Sequence, residues 1–207
     1  MFNTKEKKER SLGTKLFLKP YRCGSPKCVC VRRPFRPGLH GKARRRPLSE
    51  FGQQLMEKQK FQWSYGLREG QIKNIFREAL KNPAVTGATF IELLERRLDN
   101  VVYRLGLAQS RSIARQLINH GHIIINGRRT TIPSCRVRVG DAITIRPQSK
   151  GYKQFAELSE NLKKYEPPVW LALDKEKLEG KVLSLPKDSD LSFDVNMVVD
   201  YYSKAVK

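Results

Sequence analysis

Three of the four cysteines lie close together near the N-terminus, at positions 23, 28 and 30. A structural zinc site takes four nitrogen or sulfur ligands in a tetrahedral arrangement. Cys23, Cys28 and Cys30 could supply three of these ligands, and His40 could supply the fourth. The single residue between Cys28 and Cys30 is a tighter spacing than zinc sites usually have, so packed, metal-free thiols are the competing interpretation. The sequence predicts no required cofactor and leaves a structural zinc, or another thiolate-bound metal, open here.

Basic side chains are the second group with a chemical meaning, because 41 Lys and Arg stand against 20 Asp and Glu, a formal net charge of +21. Residues 1–48 contain 15 basic and 2 acidic residues, residues 91–152 contain 11 and 4, and residues 153–207 contain 9 and 10. Positive charge concentrated in two segments indicates a polyanionic partner, with nucleic acid first and an anionic membrane surface second.

One basic cluster has the spacing of a binding surface. Arg111 and Arg115 are four residues apart, so they share one face of a predicted helix. A tight hairpin with Arg128 and Arg129 follows at Asn126-Gly127. A short helix and a hairpin with these charges form a curved positive surface, which suits the shape and phosphates of folded RNA better than base reading in a DNA groove.

The elements that position these residues follow from hydrophobic periodicity and turn signals. Helices are predicted at about 49–66, 69–81, 89–105, 110–119, 152–163 and 194–203. Ser49 and Ser110 are the predicted N-caps of the first and the fourth of these helices. Strands are predicted on both sides of Asn126-Gly127 and across 136–145. Pro and Gly are frequent in residues 1–48 and disfavour a helix there, so this segment, named the arm, is predicted to be extended.

Several function classes find little support in the sequence. No apolar run approaches the roughly 20 residues that cross a bilayer, the N-terminus lacks the apolar region of a secretory signal, and no basic amphipathic helix suggests a membrane-surface protein. His120 and His122 have no catalytic partner in the sequence. An RNA-modifying enzyme needs a cofactor loop, a nucleophile with its base, or paired carboxylates, and none is evident. A small factor for stalled ribosomes would not need the arm.

The segment from Arg97 to Gly127 resembles the small RNA-binding module of the S four family of ribosomal proteins and of several RNA-modifying enzymes. Further groups of residues, in register along nearly the whole chain, resemble the bacterial type of that family. These groups are Pro37-Gly38-Leu39-His40-Gly41, Leu48-Ser49-Glu50-Phe51-Gly52, Glu57-Lys58-Gln59-Lys60, Tyr65-Gly66, the run from Glu95 to Arg104, and the run from Asp190 to Asn196.

The resemblance implies an α+β fold with an extended basic arm (1–48), a mostly helical domain (49–90 and 153–207) and an inserted RNA-binding module (91–152) of two helices and a short antiparallel sheet. It also implies a cytoplasmic, ribosome-bound protein that is neither an enzyme nor a homo-oligomer. Such a protein binds small-subunit ribosomal RNA early in assembly and lies beside other small-subunit proteins. It lies near the point where messenger RNA enters, influences decoding accuracy, and in some bacteria represses its own messenger.

Site residues carry over only at matching positions. The predicted RNA contacts, to phosphate or sugar, are Arg44, Arg45, Arg46, Lys58, Lys60, Arg104, Arg111, Arg115, Arg128, Arg129 and His40. Many family members hold a metal with two cysteine pairs in the arm. Cys23 and Cys28 correspond to the second pair, and the first pair falls near Glu6 and Glu9. Either glutamate is thus another candidate fourth ligand, since His40 fits an RNA contact equally well.

Overall fold

The computed structural model describes residues 4–44, 47–82, 85–149, 151–152, 155, 158, 162, 165–186 and 193–205. The predicted contacts Arg45 and Arg46 lie outside the described residues, as do residues 190–192 of the family resemblance. Two compact units make up the chain: Met1–Phe90 with Asp190–Lys207, and Ile91–Ser189.

The described elements are mixed α and β. In chain order the helices are α1 (Thr4–Leu12), α2 (Pro20–Cys23), α3 (Val29–Arg32), α4 (Glu50–Ser64), α5 (Glu69–Ala79), α6 (Thr86–Glu95), α7 (Leu98–Arg104), α8 (Arg111–Asn119) and α9 (Val195–Ala205). The strands are β1 (Ile123–Ile125), β2 (Arg128–Arg129), β3 (Ala142–Ile145), β4 (Leu171–Asp174) and β5 (Glu179–Val182).

The N-terminal arm contains the helices α1, α2 and α3 where an extended chain was predicted. Helix α1 forms because Pro and Gly are absent from the first twelve residues, and Gly13, with φ +72°, follows its end. The buried carboxylate of Glu9 then accepts the backbone N–H groups of Leu16 and Leu18 at 3.0 and 3.1 Å. These bonds turn the chain back, so that Leu12 and Leu16 are buried.

Aromatic rings form the core of the first unit. Phe76 lies 5.0 Å from Tyr202 and 5.9 Å from Phe90 between ring centroids, and Phe61 lies 6.1 Å from Phe90. Helix α9 packs on α4. The hydroxyl oxygen of Ser49 accepts the N–H of Gly52 at 3.2 Å, which confirms the predicted N-cap of α4.

The second unit packs helices on a five-stranded antiparallel sheet of order β2-β1-β3-β5-β4. Its core combines α7 and α8 with buried sheet residues and with Phe155, Leu158 and Leu162, which are helical. Cys135 packs against this core. Residues 153–189 therefore belong to this unit, because β4 and β5 extend the sheet of the module. The predicted division had placed these residues with the helical domain.

The prediction of a single helix over 89–105 is wrong. The backbone breaks between α6 and α7, where it bonds to a distant segment instead of continuing the helix. Leu98 N donates to Cys135 O at 2.8 Å, Asp99 N donates to Pro133 O at 3.1 Å, and Val137 N donates to Arg96 O at 2.9 Å. For the same reason residues 136–139 contribute only one bridge, Arg97 to Arg136, and not the predicted strand.

The hairpin between β1 and β2 is confirmed. Asn126 and Gly127 have φ values of +49° and +78°, the backbone that a two-residue hairpin turn requires and that Asn-Gly adopts readily. The Asn126 amide also donates to Asp141 at 2.8 Å and accepts from the backbone of Ala142 at 2.9 Å. The turn is thus fixed to the start of β3, and with it the position of the basic strand β2.

Candidate nucleic-acid interface

A buried carboxylate holds two arginines of the second unit. Asp99, which is 2 % exposed, accepts from Arg97 at 3.1 and 2.9 Å. It also accepts two hydrogen bonds from Arg115, from Nη2 at 2.6 Å and from Nε at 3.1 Å. Arg115 keeps about a third of its side chain exposed. A charged group is stable in such a buried place only when opposite charge and hydrogen bonds compensate it, and the two arginines supply both.

A second buried carboxylate lies four residues earlier in the sequence, at the end of α6. Glu95, which is 1 % exposed, pairs with Arg104 through two hydrogen bonds of 3.1 Å and accepts the amide of Asn100 at 2.8 Å. The other end of that amide accepts Arg111 Nε at 2.8 Å, and the Arg111 guanidinium lies 4.5 Å from the ring centre of Tyr103.

These hydrogen bonds and ion pairs connect the end of α6 and helix α7 to the first two turns of α8. Arg111 and Arg115 are therefore oriented before any ligand binds. Ser110 caps α8 by accepting the N–H of Ile113 at 3.3 Å, as predicted. Pre-oriented arginines lose less conformational entropy on binding a phosphate than free ones do.

The hairpin brings further basic groups to the far end of α8. Arg128 and Arg129 are both exposed on the edge strand β2. Arg129 donates to the carbonyl of His120 at 3.3 Å, and its guanidinium lies over Gly121. A Cβ on Gly121 would collide with that group, and the residue has φ +72°. Glycine here therefore allows the hairpin arginine to lie beside the C-terminal end of α8.

Three of the predicted RNA contacts form ion pairs within the protein, and their contact with RNA stays a prediction. Lys58 is buried, pairs with Glu69 at 2.7 Å and lies 5.0 Å from the ring of Tyr201. Lys60 forms an ion pair with Glu57. Arg104 is buried and bound to Glu95. The Glu57–Lys60 separation of three positions was a usable signal for an ion pair on a helix, whereas the separation of eleven positions between Lys58 and Glu69 was not.

The arm presents basic groups that the sequence interpretation did not single out. The predicted contacts Arg44 and His40 are both exposed. A cavity of about 370 Å³ is lined mainly by cations, together with Glu6, Val29 and Pro37. Its basic residues are Lys7, Arg10, Arg22, Arg32 and Arg33. The signal for them was the net charge of the arm, but only the fold of α1 to α3 shows that five of its cations surround one cavity.

The predicted zinc ligands are brought together only in part. In the part of the chain that the structure describes, no group of three or more His, Cys, Asp and Glu side chains is arranged to hold a metal ion, but the Cys28 side chain is hydrogen-bonded to those of Cys23 and Cys30. Cys23 and Cys28 are buried, whereas His40 is exposed. Burial, and to a smaller extent the charge of Glu9, raise the pKa of the Cys30 thiol to about 11.

The two glutamates at the first-pair positions have other partners. Glu6 pairs with Arg22 at 3.1 Å and with Lys19 at 3.6 Å, and Glu9 accepts the two backbone N–H groups that turn the arm. The segment around the thiols is therefore held by carboxylates.

None of the described helices is sufficiently long and apolar to cross a bilayer.

The sequence is similar to known proteins along nearly its whole length. Residues 2–95 match the family described as "Ribosomal protein S4/S9 N-terminal domain", and residues 96–143 match the family described as "S4 domain". The protein named small ribosomal subunit protein uS4 of Gloeobacter violaceus is 50 % identical over 197 residues, which are 94 % of each chain. The proteins of that name from Syntrophomonas wolfei and Thermus thermophilus are each 49 % identical over the same share. The chain therefore belongs to the uS4 family of small ribosomal subunit proteins.

Proposed function

We propose that the chain is a structural constituent of the small ribosomal subunit, in the cytoplasm, and that it binds the ribosomal RNA of that subunit directly. The observation that carries the proposal is the arginine arrangement of the second unit. Asp99 and Asn100 orient Arg115 and Arg111 on α8, and exposed arginines follow on β2.

The mode of binding is recognition of phosphates and of RNA shape. Guanidinium groups bind phosphate oxygens with two hydrogen bonds, and exposed charge on a fixed scaffold positions a protein on an RNA without reading bases. In this proposal Arg44, Arg111, Arg115, Arg128, Arg129 and His40 contact RNA, together with the cations around the arm cavity. Lys58, Lys60 and Arg104 support the fold through their ion pairs. The family consists of ribosomal structural proteins and not of enzymes.

The proposed place in the subunit rests on the resemblance to the family. As that resemblance implies, the protein binds the RNA early and nucleates subunit assembly, with the basic arm and the second unit as its contact surfaces. The segment 153–207, with 9 basic and 10 acidic residues, is suited to neighbouring ribosomal proteins, where strong positive charge offers no advantage. In this proposal the protein is monomeric, lies near the entering messenger RNA and contributes to decoding accuracy.

The test has two parts. In a native lysate separated on a sucrose gradient, the protein should comigrate stoichiometrically with the small subunit. Purified protein should bind transcribed small-subunit RNA with an affinity that falls steeply with salt, because phosphate contacts release counterions. Recovery only in ribosome-free fractions, or equal affinity for an unrelated transcript of the same length, would contradict the proposal.

A further inference from the structure

An aromatic cavity opens beside the C-terminal half of α8. Its volume is about 310 Å³, and its lining includes Gln116, His120, His122, Tyr152 and Phe155. The ring centroids of His120 and His122 are 5.9 Å apart, and those of His122 and Tyr152 are 5.5 Å apart. Ligand-binding cavities begin at about 300 Å³, so this aromatic cavity can receive a flat ring.

The cavity has a closed floor and an open rim. Phe155 and Leu117 are 3 % and 5 % exposed and close the floor. Tyr152 is 58 % exposed at the rim, and His120 and Gln116 are exposed as well. Exposed aromatic rings over an apolar floor leave room for a ring to stack, and the Gln116 amide offers a donor and an acceptor for the edge of that ring.

Two arginines lie close to the histidines that line the aromatic cavity. The backbone N–H of Arg146 donates to the His122 carbonyl at 2.8 Å, and the Arg129 side chain donates to the His120 carbonyl. Burial lowers the pKa of His122, and the charges of His120, Arg129 and Arg146 lower it further. His122 also shares a hydrogen bond of 2.9 Å with Ser149. Arg129 is held next to the cavity by its bond to the His120 carbonyl. An aromatic floor with arginines beside it combines the two features that a nucleotide needs, a stacking surface for the base and positive charge for the phosphate.

We propose that the aromatic cavity binds an unpaired nucleobase of the ribosomal RNA, stacked against Tyr152 and His120, with the adjacent phosphate held by Arg129 and Arg146. This inference rests on the proposed function. Gln116 and His120 lie about 140° and 180° around α8 from Arg111, at roughly 100° per residue. The RNA therefore contacts two faces of the same helix, phosphates on one and a base on the other.

The test measures the affinity of the full-length protein for transcribed small-subunit RNA. Tyr152→Ala and His120→Ala should each weaken binding by about 5- to 150-fold, the range for loss of one base-stacking contact. Tyr152→Phe should bind like the parent protein, because it keeps the ring. The salt dependence should not change, because neither side chain meets a phosphate. Val169→Ala, at an exposed position of the same unit that does not line the cavity, is the matched control.

A second measurement locates the contact. RNA that contains 4-thiouridine should crosslink on irradiation to peptides that include His120 or Tyr152. Affinities of Tyr152→Ala and His120→Ala within twofold of the parent would overturn the inference and leave the proposed function intact. So would a loss seen only when other subunit proteins are present, because the cavity would then bind protein. Failure of the parent protein to bind the RNA would instead overturn the proposed function.

Discussion

Arg115 of α8 donates two hydrogen bonds to one carboxylate oxygen of the buried Asp99 of α7, at 2.6 and 3.1 Å. The same carboxylate accepts two hydrogen bonds from Arg97. One acidic side chain thus connects the break after α6 to the basic helix. The arginine that was predicted from its spacing as a phosphate contact also contributes to the fold, and its two roles can be separated by experiment.

Replacing Asp99 with Ala should destabilise the second unit strongly. The change leaves Arg97 and Arg115 without their carboxylate in a largely buried place, and breaking a buried ion pair from one side costs about 3–5 kcal/mol. Chemical denaturation followed by circular dichroism measures the free energy of unfolding. Glu176→Gln removes an exposed acid of the same unit and should leave the midpoint unchanged. Equal midpoints for the two variants would show that the Asp99 network contributes nothing to stability.

Arg128→Gln with Arg129→Gln should weaken RNA binding and leave the helices folded. Both side chains are exposed on an edge strand, and each lost phosphate contact lowers the slope of log affinity against log salt by roughly 0.9. Filter binding at several salt concentrations should therefore show a slope lower by up to about two. Lys177→Ala with Lys181→Ala removes the same charge from the same unit. If this control lowers the slope equally, the salt dependence reflects the net charge of the protein and not specific contacts of Arg128 and Arg129 with phosphates.

Arg111→Ala with Arg115→Ala should give a different pattern. The slope should again fall by up to about two, but the midpoint of unfolding should fall as well, because Arg111 and Arg115 are bound to Asn100 and Asp99. Affinity and stability have to be measured on the same preparation. An unchanged salt slope with a lowered midpoint would restrict these two arginines to a structural role.

Local signals in the sequence were sufficient for features that local bonds determine. Ser49 and Ser110 cap helices through bonds three residues away, and Asn126-Gly127 forms the predicted hairpin turn. The helix predicted over 89–105 failed because its break depends on backbone bonds to residues 133–137. Strands β4 and β5 were missed because four-residue strands show too little alternation of apolar and polar residues. Their formation also depends on a distant partner, since β5 pairs with β3 and β4 pairs with β5.

The site was predictable to a similar extent. Charge density identified the arm and the second unit, and helical spacing identified Arg111 and Arg115. Burial of a basic side chain could not be predicted, because the acid that compensates it comes from another element: Glu69 for Lys58, and Glu95 for Arg104. The aromatic cavity was not predictable either, since it combines α8 with Tyr152 and Phe155, more than thirty residues further along the chain.

Gly121→Ala should reduce RNA affinity more than its effect on stability explains. The residue has φ +72°, and its missing side chain leaves space for the Arg129 guanidinium. A left-handed backbone costs a non-glycine residue about 1–2 kcal/mol, and the new methyl group displaces Arg129. Gly140→Ala introduces the left-handed strain alone, since its φ is +91° and nothing lies within 4 Å of the added Cβ.

The comparison isolates the contact with Arg129. Both glycine variants should lower the midpoint of unfolding by similar amounts, and only Gly121→Ala should weaken binding to small-subunit RNA. The same loss of affinity in both variants would mean that backbone strain, rather than the position of Arg129, weakens RNA binding.

Glu9→Ala should destabilise the arm, whereas metal chelation should not. The substitution removes the acceptor of two backbone N–H groups, those of Leu16 and Leu18, and a buried polar group left unsatisfied costs about 1–3 kcal/mol. Hydrogen exchange at these two amides should therefore accelerate. Glu9→Asp keeps the charge on a shorter side chain, so the two amides should retain part of their protection.

Treatment of the reduced protein with a chelator should change neither the melting temperature nor this exchange, because carboxylates hold the turn. Elemental analysis after purification without chelator provides the independent measurement, and Cys23→Ser should match the parent protein in stability to within the effect of one packed thiol. A stoichiometric metal that is lost in Cys23→Ser, together with destabilisation by chelator, would show that thiolates bind a metal in the arm. Glu9 would then act beside that metal rather than in its place.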